Sequence, residues 1–483
     1  MRYLTPASGT DFTRWVASAP KPLVGYLRGH ELIIAGEWTI ELRDHGDFLE
    51  RLWSRELPDH RLWTRTATVT ELIKRSGVPG WMWVRNATTP WLVHHSVKGA
   101  EPTGTAQAML TTARADPGAG RYAIEASRFE AVLANSTARG IRVDVERLNA
   151  AVDEMANVRR QVKDLMTFDP LDRANEDAVV RWLGERGVQV DGPASDDWGG
   201  RQVENNSAAL AVAELYENIL HIRRRLPKAR ELRAATRRGK VHTTLAPFAQ
   251  VSGRVSSKGP ALNNVAKDMR PLLLARPGHV LVTADYDGVE PRVLAALSGD
   301  EVLAHDLANG DPYVSAAERA GFDGLAFRKT FKLIIISTMY GATVGRTARM
   351  LGCSTAEARA VRDALWKPYP VAKGWLDAQR GMERVRLESG RMLGIVESAH
   401  ARANLLIQST AYDLFQKSAL DVHDNLPKGA HIWLPMHDEL IIETPEREVD
   451  AVMEVLGRFM PTRCGDVTIN ASPVVLGPHW RAL

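Results

Sequence analysis

Two stretches decide the fold: HVLVTADYDGVEPRVLAALSGD, His279 to Asp300, and HIWLPMHDELIIETP, His431 to Pro445. In the first, Val280 to Ala284 is an apolar-biased run that predicts a buried strand, and Asp285 follows at its end. In the second, two β-prone runs flank His437-Asp438-Glu439, which predicts a hairpin with carboxylates at its tip. Carboxylates at strand ends, aimed at one point, suit a pair of Mg²⁺ ions, which take hard oxygen ligands and leave room for phosphate oxygens. Two such ions roughly 3.5–4 Å apart can activate a 3′-hydroxyl and stabilise a leaving pyrophosphate. A single Asp after a strand is more often a turn or cap residue. The segment between the two carboxylates therefore carries the argument.

That segment is RKTFKLIIISTMYG, Arg328 to Gly341. It is strongly apolar and free of Pro and Gly before Gly341, which predicts a mostly buried helix. Arg328, Lys332, Ile336 and Tyr340 recur every four residues; each step advances about 400°, so they form one slowly drifting stripe. Two cations on one stripe suit a triphosphate, Arg gripping as a fork and Lys acting as a point charge. The plainer alternatives are snorkelling cations at a solvent edge and an ordinary Gly helix cap at Tyr340-Gly341.

At this point the chain resembles the family A DNA polymerases, the group of bacterial DNA polymerase I and its phage relatives. Asp285 to Arg292 (DYDGVEPR) looks like the first palm motif, usually DYSQIELR. Arg328, Lys332, Tyr340 and Gly341 match the fingers helix, and His437-Asp438-Glu439 matches the second palm motif. Ser252 to Ser257 (SGRVSS), preceded by Val241 to Thr244, resembles TGRLSS. Asn404 with Gln408 to Asp413 (QSTAYD) resembles the N…QGTAAD stretch. The resemblance covers about residues 120 to 483.

It implies roles residue by residue. Asp285 and Asp438 would bind two Mg²⁺ ions. Arg328 and Lys332 would hold the triphosphate of an incoming dNTP, with Lys332 also a proton donor to pyrophosphate. Ile336 and Tyr340 would lie along the nucleotide, Tyr340 beside the templating pair, and Glu290 would block a ribose 2′-hydroxyl. Arg254, Asn264, Asn404, Gln408 and His437 would contact the primer–template DNA. Glu439 joins that set and supports the adjacent metal Asp rather than serving as an obligatory ligand.

The pattern breaks in places. Ile336 stands where the family usually has Phe or Tyr, so altered sugar discrimination and weaker nucleotide affinity are expected. Ile335 and Ser337 replace the usual Asn and Gly, Tyr313 a usual His after Asp311, His400 a usual Arg, and Asn263 a usual Gln. These changes bear on minor-groove sensing; both metal Asp residues and both triphosphate cations remain.

The chain of 483 residues allows several domains, and 45% hydrophobic with 25% charged residues is ordinary for a soluble protein. A net charge of +4 does not by itself indicate nucleic acid. Its distribution is more telling: residues 223 to 240 hold Arg223, Arg224, Arg225, Lys228, Arg230, Arg233, Arg237, Arg238 and Lys240 against one acid, Glu231. Such a stripe suits phosphate-backbone contact and predicts salt-sensitive binding, the plainer alternative being a solvated helix face. Cys353 and Cys464 make neither a disulfide framework nor a zinc cluster, which fits a reducing compartment. No apolar run approaches membrane-spanning length, and the first residues lack a signal-peptide core. The expectation is a monomer in the cytoplasm of a bacterial or phage-infected cell.

The expected fold is α+β: a right-hand polymerase with an antiparallel palm sheet, plus an N-terminal α/β exonuclease-like domain. Residues 1–118 form a unit rich in Trp (Trp15, Trp38, Trp53, Trp63, Trp81, Trp83, Trp91), these rings reading as core rather than base-stacking platforms. DPGAGR, Asp116 to Arg121, reads as a linker, and SDDWGG near 195–200 as a surface loop. Residues 119–250 are the thumb by resemblance, 251–310 with 395–483 the palm, and 311–394 the fingers. A proofreading site would need a D-x-E pair and further Asp residues. Residues 1–118 contain no D-x-E, and Asp11, Asp44, Asp47, Asp59 and Asp116 do not form the family pattern, so a degenerate scaffold is expected. At this length a separate 5′-nuclease domain is not expected within these residues.

The leading expectation is a template-directed DNA polymerase without proofreading. A single-subunit RNA polymerase is the first alternative, opposed by Glu290 at the sugar position. A non-catalytic DNA-binding scaffold derived from a polymerase is the second, opposed by the intact metal and triphosphate residues.

Overall fold

The computed structural model describes residues 2–5, 8–19, 23–28, 31–34, 38–52, 62–64, 84–86, 117–190, 201–203, 205–379, 385–393 and 399–481. At its centre is a four-stranded antiparallel sheet in the order His431–Met436, Glu439–Pro445, His279–Tyr286, Ala471–Gly477. The His279–Tyr286 strand has neighbours on both sides, and its Leu281, Val282, Thr283 and Ala284 are all buried. A continuous apolar run, rather than an alternating one, is what a strand covered on both faces requires. Thr283 is tolerated there because its hydroxyl donates to Glu439 at 2.9 Å. The edge strand Ala471–Gly477 carries Pro473, which needs no ladder donor, and leaves Val474 and Val475 exposed.

The strand runs through Asp285 to Tyr286, so Asp285 lies inside the ladder, opposite Glu439 on one side and Ser472 on the other. Pairing of Met436 with Glu439 leaves His437-Asp438 as a two-residue hairpin loop. Such loops need left-handed backbone, and His437 takes it at φ +60°. A non-glycine residue there costs on the order of 1 kcal/mol. Glu439 is thus the first strand residue, 7% exposed, and only Asp438 sits at the tip.

Helix Val449–Phe459 packs on the sheet, and helix Ala399–Asn425 meets its central strand where Ser418 and Phe415 touch Tyr286. A third, Val289–Ser298, leaves the central strand through Gly288, whose φ of +58° turns the chain. One continuous core joins Leu281, Val282, Ile441, Ile442, Phe415, Leu456 and Trp480 to Phe331 and Ile334 of helix Gly324–Met339. That helix is capped by Asp323, which accepts from the Ala326 N–H at 2.8 Å. It is half-buried rather than mostly buried: Phe331, Ile334, Ile335, Thr338 and Met339 face inward, while Arg328 and Lys332 are exposed.

Helices Val145–Met166 and Ser207–Ala235 pack together and close a separate core around Met166, Leu183, Val188 and Tyr216. The expected linker at 116–121 instead opens helix Pro117–Arg139. Proline is well suited to the first helical turn, where its missing N–H has no partner to lose. Near the N-terminus, Phe12, Leu32, Ile34 and Trp38 are buried with Ala131 and Ala134 of that helix, the Phe12 and Trp38 rings meeting edge to face at 5.0 Å. Trp38 is therefore a core residue and Trp15 packs against it; Trp53, Trp81, Trp83, Trp91 and the Trp63 side chain lie outside the described residues, as do residues 195–200. Asp11 and Asp44 are both exposed. Among the described residues no helix is long and apolar enough to cross a membrane, and both cysteines are free.

Candidate active site

The ladder brings the carboxylates together. Asp285 and Glu439 are direct cross-strand neighbours, and Asp438 is the next residue, in the turn. Asp285 is reachable from solvent, yet the surrounding cleft removes enough water to raise its pKa. Partial burial first, then repulsion from Asp438 and Glu439, pushes it up to about 7. Asp438 and Glu439 are raised as well, again by burial first, with Glu290 adding to the first and Asp438 to the second. Three carboxylates without enough positive charge form the environment that a divalent cation relieves. Among the described residues no group of three His, Cys, Asp or Glu side chains forms a preformed metal cage. Glu439 is turned toward Thr283. Two Asp residues then remain for a cation whose other positions take water or phosphate oxygens, a donor set that fits Mg²⁺.

Helix Gly324–Met339 carries the two cations, of which Lys332 acts on the site acids. Lys332 is exposed and acts electrostatically on Asp285. Arg328 donates through Nε to Asp311, 2.5 Å away at the start of the preceding helix. Asp311 also caps helix Pro312–Arg319, accepting from the N–H groups of Tyr313 and Val314. The Tyr313 ring lies 5.7 Å from the Arg328 guanidinium and 5.8 Å from the Lys332 ammonium. Burial, with Asp311 adding to it, pushes the Tyr313 hydroxyl up to about 12.

Glu290 is gripped from two sides. Arg254 donates to its Oε1 at 2.6 Å, and the Tyr340 hydroxyl donates to its Oε2. Tyr340 therefore stays protonated far into the alkaline range, through burial first and the Glu290 charge second. Gln408 acts on the same hydroxyl from helix Ala399–Asn425. Asn404 lies one turn away from Gln408, and its buried Oδ1 has no partner among the described residues. His437 is held below its ordinary pKa by burial and by Arg254. Ile336 is half-buried on the cationic stripe; nothing about its environment explains the absence of an aromatic ring.

Other residues singled out from sequence stand apart. Asn264 is exposed in the short turn Leu262–Asn264, and Asn263 is tied to Val255 and Ser257. Arg223 pairs with Glu176, and Arg225 with Asp268 at 2.6 Å, while Arg224 is exposed. Lys228 pairs with Glu231 and Arg233 with Asp153, each at 3.3 Å. Glu176, Asp268 and Asp153, distant in sequence, thus pair with Arg223, Arg225 and Arg233 of the basic stripe. The side chain of His400 lies outside the described residues.

Sequence reasoning missed Asp311 and Arg270. Asp311 was legible as the cap before Pro312. Arg270 was not: its guanidinium stacks 4.5 Å over Trp480, 210 residues later in the chain, and faces Glu439 and Asp285.

A family model described as DNA polymerase family A matches residues 208–481, more than half of the chain. The chain belongs to DNA polymerase family A. Among curated family A relatives, the thermostable DNA polymerase I of Thermus filiformis is 27% identical over 72% of this chain and 47% of its own length. The DNA polymerase of Mycobacterium phage D29 is 30% identical over 50% of this chain and 42% of its own. The chain spans under half the length of these relatives. Among solved structures, the POL domain of Pol1 from M. smegmatis, in complex with DNA primer-template and dNTP, matches with a TM-score of 0.74. It covers 99% of both chains at 18% identity. The fold is therefore the α+β right-hand polymerase fold with its antiparallel sheet.

Proposed function

We propose that the chain is a template-directed DNA polymerase that adds dNTPs to a primer 3′-hydroxyl by a two-metal mechanism and lacks proofreading of its own. In this reading residues 251–310 and 395–483 are the palm, 311–394 the fingers and 119–250 the thumb. Residues 1–118 are a degenerate exonuclease-like unit, a view supported by the missing D-x-E pair. The observation that carries the reading is the juxtaposition of Asp285, on the central strand, with Asp438, in the turn of the adjoining hairpin, and Lys332 acting on Asp285.

Asp285 and Asp438 would hold the cations. Bound Mg²⁺ would supply acidification of the primer hydroxyl and charge neutralisation on the leaving group. The oxygen–phosphorus bond forms at the α-phosphate, the bond to pyrophosphate breaks, and the hydroxyl proton passes to water. Lys332 would protonate pyrophosphate, and Arg328 would grip the triphosphate once it parts from Asp311. Glu290, held by Arg254 and Tyr340, presents a fixed wall to a 2′-hydroxyl, which favours deoxynucleotides over an RNA polymerase reading.

The test is primer extension on a recessed duplex with Mg²⁺, comparing dNTPs, rNTPs and no nucleotide. Template-matched extension with dNTPs only, without primer shortening, is expected. Asp285→Ala and Asp438→Ala should each abolish extension while duplex binding persists, and retained synthesis in either would sink the site assignment. Primer-independent synthesis from rNTPs would favour the RNA polymerase. Duplex binding with no pairing-dependent dNTP affinity would favour the scaffold.

A further inference from the structure

Arg391 is a charged side chain with 0% exposure. It ends the turn of a small hairpin formed by Val385–Arg386 and Met392–Leu393, a place where a cation ordinarily faces water. Its counter-ion is Asp413 on helix Ala399–Asn425, with Nε 3.5 Å from Oδ1. The same carboxylate accepts from the hydroxyls of Tyr122 and Ser389, each at 2.6 Å. The rings of Tyr122, Phe248 and Tyr412 stand 5.9, 5.6 and 6.0 Å from the guanidinium. Segments spread over nearly 300 residues thus close one cage around one cation.

One N–H group points out of this cage. Nη2 donates to the Ser252 carbonyl at 2.8 Å. The next residue, Gly253, has φ +88°, and a β-carbon there would come within 2.0 Å of Arg391 Nη1 and 2.8 Å of Tyr412. Only glycine allows so close an approach. The residue after that is Arg254, which reaches Glu290 at 2.6 Å. A continuous path of contacts therefore runs from Asp413 through Arg391 and the Ser252-Gly253 backbone to Arg254 and Glu290. A buried ion pair is weak evidence for stability, because desolvation offsets the attraction; the directional contact is the single hydrogen bond from Nη2 to the Ser252 carbonyl, Nε and Nη1 having no hydrogen-bond partner among the described residues.

We infer that Arg391, buried beside its counter-ion Asp413, is a positioning residue that pins the Ser252-Gly253 turn and so aims Arg254 at Glu290 and at the primer–template. This rests on the polymerase reading above. Arg391 touches neither substrate nor reacting atoms; it acts through Arg254.

The test is a double-mutant cycle on wild type, Arg391→Lys, Arg254→Ala and the double variant, with melting temperature as the folding control. Lysine keeps the charge beside Asp413 but has one head group, which cannot serve Asp413 and Ser252 together. Arg391→Lys should slow matched incorporation about tenfold, and the double variant should fall within about twofold of Arg254→Ala alone, since acting through one residue makes losses non-additive. Multiplying losses, or a folded Arg391→Lys with wild-type rates, would overturn the inference. Should Arg391→Lys not fold, the charge-free pair Arg391→Met/Asp413→Asn takes its place in the same cycle. Gly253→Ala must reproduce the defect, and its silence would also overturn the proposal. Wild-type extension scores the polymerase reading separately. If wild type binds duplex without extending it, the same cycle read in duplex affinity still decides the coupling.

Discussion

Glu290 takes hydrogen bonds from a residue 36 positions before it and another 50 positions after it. Fixed from both sides, it can exclude a hydroxyl by position rather than by bulk alone. Glu290→Ala should therefore lower discrimination against ribonucleotides by roughly 10–100-fold, because a wall removed from a pocket forfeits one well-placed contact or clash. Competitive dNTP/rNTP incorporation measures it, and unchanged selectivity would refute the gate. Tyr313 is the second residue with a sharp expectation. Its ring faces both Arg328 and Lys332. Cation–π contacts run about 0.5–2 kcal/mol, so Tyr313→Ala should raise the dNTP KM several-fold with a smaller effect on kcat. Tyr313→Phe should be silent, because among the described residues the hydroxyl makes no hydrogen bond. The identities of Glu290 and Tyr313 were visible in the chain; what each touches was not, because the partners come from separate elements.

At the scale of elements, the sheet holds a second polar network well away from the site carboxylates. Glu443, 3% exposed, accepts from His431 Nε2 at 3.0 Å and from Arg276 Nε at 2.7 Å. Burial alone would raise Glu443, but the His431 hydrogen bond, followed by the Arg276 backbone N–H and charge, brings it down to about 2. His431 is itself held below its ordinary value by burial. Both shifts act in one direction. A depressed carboxylate stabilises the fold above its unfolded pKa, here 4.5, and that contribution fades as pH falls toward 2. A depressed imidazole likewise leaves the unfolded state to take up the proton first as pH falls below 6.5. Glu443→Gln should cost on the order of 2 kcal/mol at neutral pH and flatten the stability curve between pH 5 and 2. Denaturant melts across that range test it; an unchanged acid limb would refute the assignment. The strands themselves were legible from their apolar runs. The ladder's extension through Asp285 and the helix starting at Pro117 were not, since hydrogen-bond partners, not local composition, decide where an element ends.

At the scale of the whole molecule, the basic stripe shows how the fold redistributes charge. Glu176, Asp268 and Asp153 pair with Arg223, Arg225 and Arg233. Arg230 and Arg238 are exposed and have no acid partner among the described residues. Replacing Arg230 and Arg238 with Gln should reduce the log–log salt slope of duplex binding by up to about 2, since each neutralised phosphate contributes roughly 0.9. Replacing Arg223 and Arg225 should change the slope by less than about 1 and lower the melting temperature instead. Fluorescence titrations at graded salt distinguish the two, and a larger effect from the paired arginines would reverse the assignment.

The chain by itself determined the strand around Val280 to Ala284, the hairpin at Asp438, the cationic stripe on one helix, and through their order the family. Each is a local pattern: periodicity, turn chemistry and spacing are written in consecutive residues. Only the tertiary structure decided that Arg328 rests on Asp311, that Arg254 and Tyr340 share Glu290, that Arg391 is buried against Asp413, and which basic residues meet acids. Those facts depend on which distant segments the core brings within a few ångströms. A charged residue in a turn reads as solvent-exposed until packing around it removes the water.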